Sequence, residues 1–160
     1  MTTSENLGGL LAPIARSHPR RSVPGCYPLI DPITTRYADM DVNGHLNNLA
    51  LEAMHENIRA TMNSRIFPDV YDPSRRELRL VTAQNVVHFL AEGYWPATIR
   101  AGIGVGHIGR TSYIAASALF VDDQCISVCD TVLVVLGDNG PVAIPDDARQ
   151  RLEAMRLRVD

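Results

Sequence analysis

The stretch Asp41-Val42-Asn43-Gly44-His45-Leu46-Asn47-Asn48, running on into Leu49-Ala50-Leu51-Glu52-Ala53-Met54-His55-Glu56, decides the reading of this chain. A polar loop empties directly into a helix. Leu49, Ala50, Ala53, Met54, Ile58 and Met62 recur at helical spacing, and Glu52, His55, Glu56, Arg59 and Asn63 fall between them. The pattern predicts a helix over 49–64 with the first set inward and the second toward solvent. Asn47 or Asn48 supplies the N-cap, and Pro68 lies beyond the end. A helix start offers backbone N–H groups without intrahelical partners and the positive end of the dipole, which suit an anion or a developing oxyanion. A nearby carboxylate, Asp41, can act as base toward water or attack a carbonyl itself. Loop acid and helix start together are what acyl transfer requires.

Working outward, 26–37 reads as an irregular lead-in and a first strand, which Pro28 and Pro32 confine to about 33–37. Tyr71-Asp72-Pro73-Ser74 is a turn signal. Beyond it the period changes to that of strands, over 78–90, 97–105, 111–121 and 125–136. Gly102, Gly104 and Gly106 alternate within one strand. That spacing predicts close packing or sheet curvature, not a dinucleotide loop, which needs a following helix. From Pro145 a short helix is expected, with Asp146 and Asp147 in its first turn. Short connections between successive strands imply an antiparallel sheet. The expected fold class is α+β, an antiparallel sheet wrapped around one central helix, in a single domain over 26–160. Residues 1–25 carry Gly8-Gly9, Pro13, Pro19, Pro24-Gly25 and the cluster Arg16, Arg20, Arg21, and are expected to form an N-terminal arm.

The chain has 160 residues, enough for one domain with a sizeable core. Net charge is −3, which argues against a broad basic surface for nucleic acid. All 15 basic residues are Arg. Three cysteines, Cys26, Cys125 and Cys129, do not make a disulfide framework and are expected as small buried apolar residues. Glu5 precedes the short apolar patch Leu10-Leu11-Ala12-Pro13-Ile14 and the arginines follow it, the wrong order for a secretory signal. A reducing, cytoplasmic setting is expected. No run approaches ~18 apolar residues, so no membrane span is expected. His45, His88 and His107 do not make a metal-ligand spacing, and no metal is expected.

The architecture and the Asp41-x-Asn43-x-His45-x-Asn47-Asn48 pattern together resemble the hotdog-fold thioesterases, in the branch that holds 4-hydroxybenzoyl-CoA, short acyl-CoA and plant acyl-carrier-protein thioesterases. The pattern is most similar to the acyl-carrier-protein group, where the loop acid, asparagine and histidine are assigned to the active site. Gly109-Arg110-Thr111-Ser112 resembles the family's glycine–serine turn, and Gly140-Pro141 with Ile144-Pro145 resembles its ending. The likeness covers about 27–155. It departs at Leu51, where many relatives carry an aromatic residue, and in residues 1–25, which have no counterpart in the minimal fold.

The resemblance implies hydrolysis of an acyl thioester, acyl-CoA or acyl-carrier protein, in fatty acid metabolism. It implies no cofactor beyond the coenzyme A of the substrate. It also implies a homodimer with sheets joined edge to edge, or a homotetramer of such pairs, with sites at the subunit interface. Asp41 is the candidate base or nucleophile. Asn43 is a candidate to orient water or the carbonyl, or is simply a turn residue before Gly44. His45 is a candidate partner of Asp41 or of the thioester. Glu56 is a candidate further acid, or an i,i+3 partner of Arg59. Gly44 provides a tight backbone turn, and Asn47 and Asn48 the cap and oxyanion donors. Arg110, Thr111 and Ser112 are candidate substrate-binding residues, with Arg75 and Arg76 further candidates for phosphate contact. Asp39 is expected to be solvated or paired with Arg36. Two other readings stay open: a non-catalytic acyl-thioester-binding protein, and a hydratase or dehydratase of the same fold.

Overall fold

A computed structural model describes residues 15–159. The regular elements are β1 (Leu29–Thr34), α1 (Asn48–Ile66), β2 (Arg79–Phe89), β3 (Thr98–Ile108), β4 (Ser112–Val121), β5 (Gln124–Gly137), β6 (Gly140–Pro141) and α2 (Asp146–Ala154). Every strand pairing in the sheet is antiparallel, in the order β1-β3-β4-β5-β2, with β6 paired to β5. The sheet curls around α1. Leu51, Met54, Ile58, Met62 and Ile66 of the helix meet Ile99, Ala101, Ile103 and Val105 of β3, and Tyr113, Ala115 and Leu119 of β4, in one buried cluster. This is the wrapped sheet that the strand and helix order predicts.

Two expectations are corrected. The first strand is Leu29–Thr34, not 33–37, and includes Pro32. Among the described residues it pairs only with β3, and an edge strand has a side without a ladder, where a missing N–H costs nothing. The face of α1 is also rotated from the predicted one. His55, Arg59 and Asn63, expected toward solvent, are 0%, 8% and 2% exposed, while Leu49, expected inward, is 78% exposed. Burying polar groups is costly unless each finds a partner, and each does. His55 bonds Ser117 at 2.8 Å and Ser127 at 2.9 Å. Arg59 donates to Thr131 at 3.0 Å, and Asn63 accepts from Tyr113 at 2.6 Å.

The outer face of the sheet explains the alternating glycines. A Cβ at Gly102 would lie 2.8 Å from the Tyr27 ring, and one at Gly104 would lie 2.8 Å from Pro28 and from Leu157. Bare backbone at these positions lets the segment before β1 and the segment after α2 lie flat on the sheet. Two 3-10 turns, Pro19–Ser22 and Pro24–Cys26, belong to this layer. Arg21 pins it. Its Nη1 donates to Asp130 at 2.6 Å, its Nε to Tyr27 at 3.0 Å and its Nη2 to the Ser117 and Cys129 carbonyls. Of the expected N-terminal arm, residues 19–25 are therefore packed on the sheet, and 1–14 lie outside the described residues. Cys26, Cys125 and Cys129 carry free thiols, and burial pushes all three thiol pKa values up.

Candidate active site

The segment between β1 and α1 folds as a small hairpin. Met40 and Leu46 form an antiparallel bridge. The Asp41 N–H donates to the His45 carbonyl at 2.8 Å, and the Gly44 N–H to the Asp41 carbonyl at 3.1 Å. Gly44 has φ +79°, the left-handed region that glycine enters without a Cβ clash. Asp41 Oδ1 accepts the Asn43 N–H at 2.8 Å and the His45 N–H at 3.4 Å. Its Oδ2 accepts nothing among the described residues, and the residue is exposed. One oxygen of Asp41 thus shapes the turn while the other faces outward. The Asn43 side chain is exposed and its contribution to the turn is its backbone N–H.

The hairpin is fastened on two sides. Leu46 N–H donates to the Gly93 carbonyl at 2.7 Å, and Asn47 N–H to the Asp39 carbonyl at 2.8 Å. Asp39 is 5% exposed. Arg36 grips it through Nη2 at 2.9 Å and its own backbone N–H at 2.8 Å, which holds the Asp39 carboxyl below its ordinary pKa. Asp39 is an ionised fastener paired with Arg36, and Asp41 is the open acid.

At the helix start Asn47 is the N-cap. Its Oδ1 accepts the Ala50 N–H at 2.7 Å, and its carbonyl accepts the Leu51 N–H at 3.1 Å. The N–H groups of Asn48 and Leu49 have no acceptor among the described residues, and both residues are exposed. A carboxylate and two open N–H groups therefore sit at the two ends of one eight-residue segment.

Beside the hairpin lies a residue that the sequence did not single out. Glu92, in the connection from β2 to β3, has Oε2 3.5 Å from His45 Nε2. Tyr94 donates to the same oxygen at 2.6 Å, and its ring meets the His45 ring edge-on, centroids 5.6 Å apart. The only local signal was an acid next to Gly93 in a turn. Its link to His45 is made by the Leu46–Gly93 bond, which the sequence does not reveal.

The remaining candidates lie apart. Glu56 is on the exposed side of α1, with Oε1 3.8 Å from Arg59 Nη2, the i,i+3 pair. It is eight residues beyond Asn48, about 12 Å along the axis. Arg110, Thr111 and Ser112 form the turn between β3 and β4, held by Gly109 N–H to Ser112 O at 2.7 Å and Val135 N–H to Thr111 O at 2.9 Å. That turn is at the far end of β3 from the Asp41 hairpin, and an eleven-residue strand spans about 35 Å. One chain does not bring the two sets together.

Two clefts occur among the described residues, one remote from the hairpin and one bordering its Arg36–Asp39 fastening and the helix start. One, about 340 Å³, lies at the C-terminal end of α1 between Phe67, Leu78, Ala148 and the side chains of Arg75 and Arg76. The other, about 160 Å³, lies between β1 and α1 at Ile33, Ala50, Ala53 and Met54. The hairpin itself is on open surface among exposed apolar side chains: Tyr37, Val42, Leu49, Phe89, Leu90 and Trp95. Such a patch calls for a covering surface. Among the described residues no group of three or more His, Cys, Asp or Glu is placed to hold a metal. Among the described residues no helix is long and apolar enough to cross a membrane.

Comparison with known proteins identifies the class. The thioesterase-like superfamily matches residues 35–152, and the chain belongs to that superfamily. Among solved structures, a protein of Pseudomonas aeruginosa is 25% identical with a TM-score of 0.77, over 86% of this chain and 98% of that one. A thioesterase of Thermus thermophilus, complexed with coenzyme A and Zn, is 24% identical with a TM-score of 0.73, over 81% and 95%. A DHNA-CoA thioesterase of Staphylococcus aureus is 17% identical with a TM-score of 0.68, over 78% and 90%. The sheet wrapped around α1 is the hotdog fold. No curated protein matches the chain significantly.

Proposed function

We propose that the protein hydrolyses an acyl thioester, acyl-CoA foremost, at the Asp41 hairpin. One observation carries the reading: an exposed carboxylate with an unengaged Oδ2 stands in the hairpin that runs directly into a helix start with two open N–H groups. Membership of the thioesterase-like superfamily supports it. The coenzyme A in the names of two similar structures supports a CoA thioester.

In this reading the thioester carbonyl oxygen sits on the N–H groups of Asn48 and Leu49. Asp41 takes a proton from water as it attacks the carbonyl carbon, or attacks directly and forms an anhydride that water then opens. The tetrahedral oxyanion gains most from the open donors, each worth about 2.7–4 kcal/mol in related sites. Collapse expels the thiolate, a good leaving group, which is protonated to the thiol. His45, with Glu92 behind it, is the group placed to orient water or deliver that proton.

The site is completed by a second copy. β2 is an open edge with Val81, Val86 and Phe89 each 41–44% exposed. Two copies pairing antiparallel along β2 would set the Phe89 end of one beside the Arg79 end of the other. The second copy's Arg110, Thr111 and Ser112 turn, and its Arg75 and Arg76, would then approach the first copy's Asp41. The two sets that one chain holds apart would meet in trans, with arginines available for the CoA phosphates. A cytoplasmic setting and a place in fatty acid metabolism belong to the same reading, which rests on the three free thiols and the acyl substrate.

The test is thiol release over acyl-CoAs from acetyl to palmitoyl, with benzoyl-CoA, phenylacetyl-CoA and an acyl-carrier protein, beside sedimentation of the wild type. Turnover by a dimer supports the proposal. Tight binding of every thioester without release would make it a binding protein instead.

A further inference from the structure

α1 packs chiefly on β3 and β4 and leans away from β2. Part of the inner side of β2 is left open in the single chain. Thr82, Asn85 and Phe89 are exposed there, although their partners on β5 are the buried Leu133, Thr131 and Ser127. One cation stands beside this opening. Arg59 is 8% exposed. Its Nη1 donates to Thr131 Oγ1 at 3.0 Å, and the Thr131 hydroxyl donates onward to Asn85 Oδ1 at 2.6 Å. The nearest carboxylate oxygen, of Glu56, is 3.8 Å from Nη2 and belongs to a side chain 76% exposed. Arg59 Nε and Nη2 and Asn85 Nδ2 donate no hydrogen bond among the described residues.

The same molecule shows what a buried arginine ordinarily has. Arg21, 9% exposed, makes four hydrogen bonds, one of them to a carboxylate at 2.6 Å. Arg59 makes one, to a neutral hydroxyl. Among the described residues no Arg59 atom is buried without a hydrogen-bond partner, so its Nε and Nη2 stay reachable from outside, with the exposed Glu56 carboxylate 3.8 Å from Nη2 as their present anion. Its free Nε and Nη2 form one side of the planar fork, which fits the two oxygens of a carboxylate.

We propose that Arg59 is the specificity-determining residue of the acyl pocket, and that the substrate is a thioester whose acyl group ends in a carboxylate. The proposal rests on the Asp41 hairpin being the hydrolytic site. The terminal carboxylate takes Arg59 Nε and Nη2, displaces Glu56 to solvent, and gains the Asn85 amide on the neighbouring strand β2. Arg59 is eleven residues past Asn48, about 16 Å along the helix, shortened by the lean of helix side chains toward the N-terminus. That separation excludes two- and three-carbon acyl groups and fits a medium-length dicarboxylic chain.

The test compares octanoyl-CoA with the CoA monothioester of octanedioic acid, by thiol release and by calorimetric binding. The wild type should favour the carboxylated substrate by about tenfold or more in kcat/KM. Arg59→Met should lower kcat/KM for it about tenfold more than for octanoyl-CoA, and Arg59→Lys should recover part of the difference. Equal wild-type values for the two substrates would overturn the proposal while leaving hydrolysis at Asp41 intact. So would an equal loss on both in Arg59→Met. If neither is hydrolysed, the hydrolytic reading fails by itself, and binding decides this one: preferred binding of the carboxylated thioester upholds it, equal binding overturns it. If Arg59→Met does not fold, the wild-type pair and Arg59→Lys decide.

Discussion

Asn47 caps α1 through Ala50, whose N–H reaches Asn47 Oδ1 at 2.7 Å. This bond determines which donors the helix start leaves open. The Ala50 donor is taken by the cap and the Leu51 donor by the Asn47 carbonyl. Those of Asn48 and Leu49 remain, at the end of the segment that Asp41 opens. Asn47→Ala should cost about 1 kcal/mol of stability and also lower the rate, because the donors lose their fixed direction. Asn47→Asp keeps an acceptor and should retain the stability. Urea unfolding of the two variants checks the first part, and an Asn47→Ala as stable as wild type would contradict it.

His55 makes stability depend on pH. The Ser127 hydroxyl donates to the His88 carbonyl at 2.9 Å, so it must accept from His55 Nε2–H, and Nδ1 then accepts from Ser117. The ring is held neutral: burial, with Arg59 and Arg21 nearby, pushes its pKa down to about 3 from 6.5. The unfolded chain therefore binds one more proton than the folded chain between those values. The His55 contribution is fully present above pH 6.5 and is lost as pH falls toward 3, at up to about 1.4 kcal/mol per pH unit. Asp39 acts lower, since its depressed carboxyl loses stability only as pH falls through the acid range below 3.8. Unfolding free energies from pH 7 to 4.5 should fall for the wild type and fall less, by about one proton's slope, for His55→Gln. Parallel curves would contradict this.

Gly102 should not tolerate a side chain. Its Cβ would meet the Tyr27 ring, which Phe120 abuts edge-on at 5.9 Å and Arg21 holds at its hydroxyl. Gly102→Ala should destabilise by about 1–3 kcal/mol and loosen 19–28, exposing it to limited proteolysis. An unchanged cleavage pattern and melting temperature would show that the segment is not seated as described.

The elements themselves were legible because their signals are local. Asn47 marks the helix start, and the alternation of Ile99, Ala101, Ile103 and Val105 marks β3. The orientation of α1 was not. His55, Arg59 and Asn63 look like a solvated face, because the buried hydroxyls that hold them, Ser117, Ser127, Thr131 and Tyr113, lie 50 to 72 residues away. Pattern alone cannot tell a polar residue in water from one bonded across a core. The polar loop carrying Asp41 and the helix it runs into were readable, and Glu92 beside His45 was not, since the two meet only through folding. Nor could sequence show that Ser112 lies at the other end of the sheet from Asp41.

Glu92 supports His45 from behind, so its removal should act through the histidine. His45→Ala should lower kcat about 100-fold, and Glu92→Gln should lower it less and shift the pH–rate profile. With His45→Ala as background, Glu92→Gln should add little. Independent, additive losses in the double variant would contradict the coupling.

The most direct measurement is the thioester hydrolysis rate of Asp41→Asn beside the wild type, on the best acyl-CoA, with melting temperatures of both. Asparagine keeps an oxygen to accept the Asn43 and His45 N–H groups, so the hairpin and its stability should survive while the base or nucleophile is lost. The account predicts an unchanged melting temperature and a rate lower by about 100-fold or more. A stable Asp41→Asn that hydrolyses the thioester at the wild-type rate would contradict it.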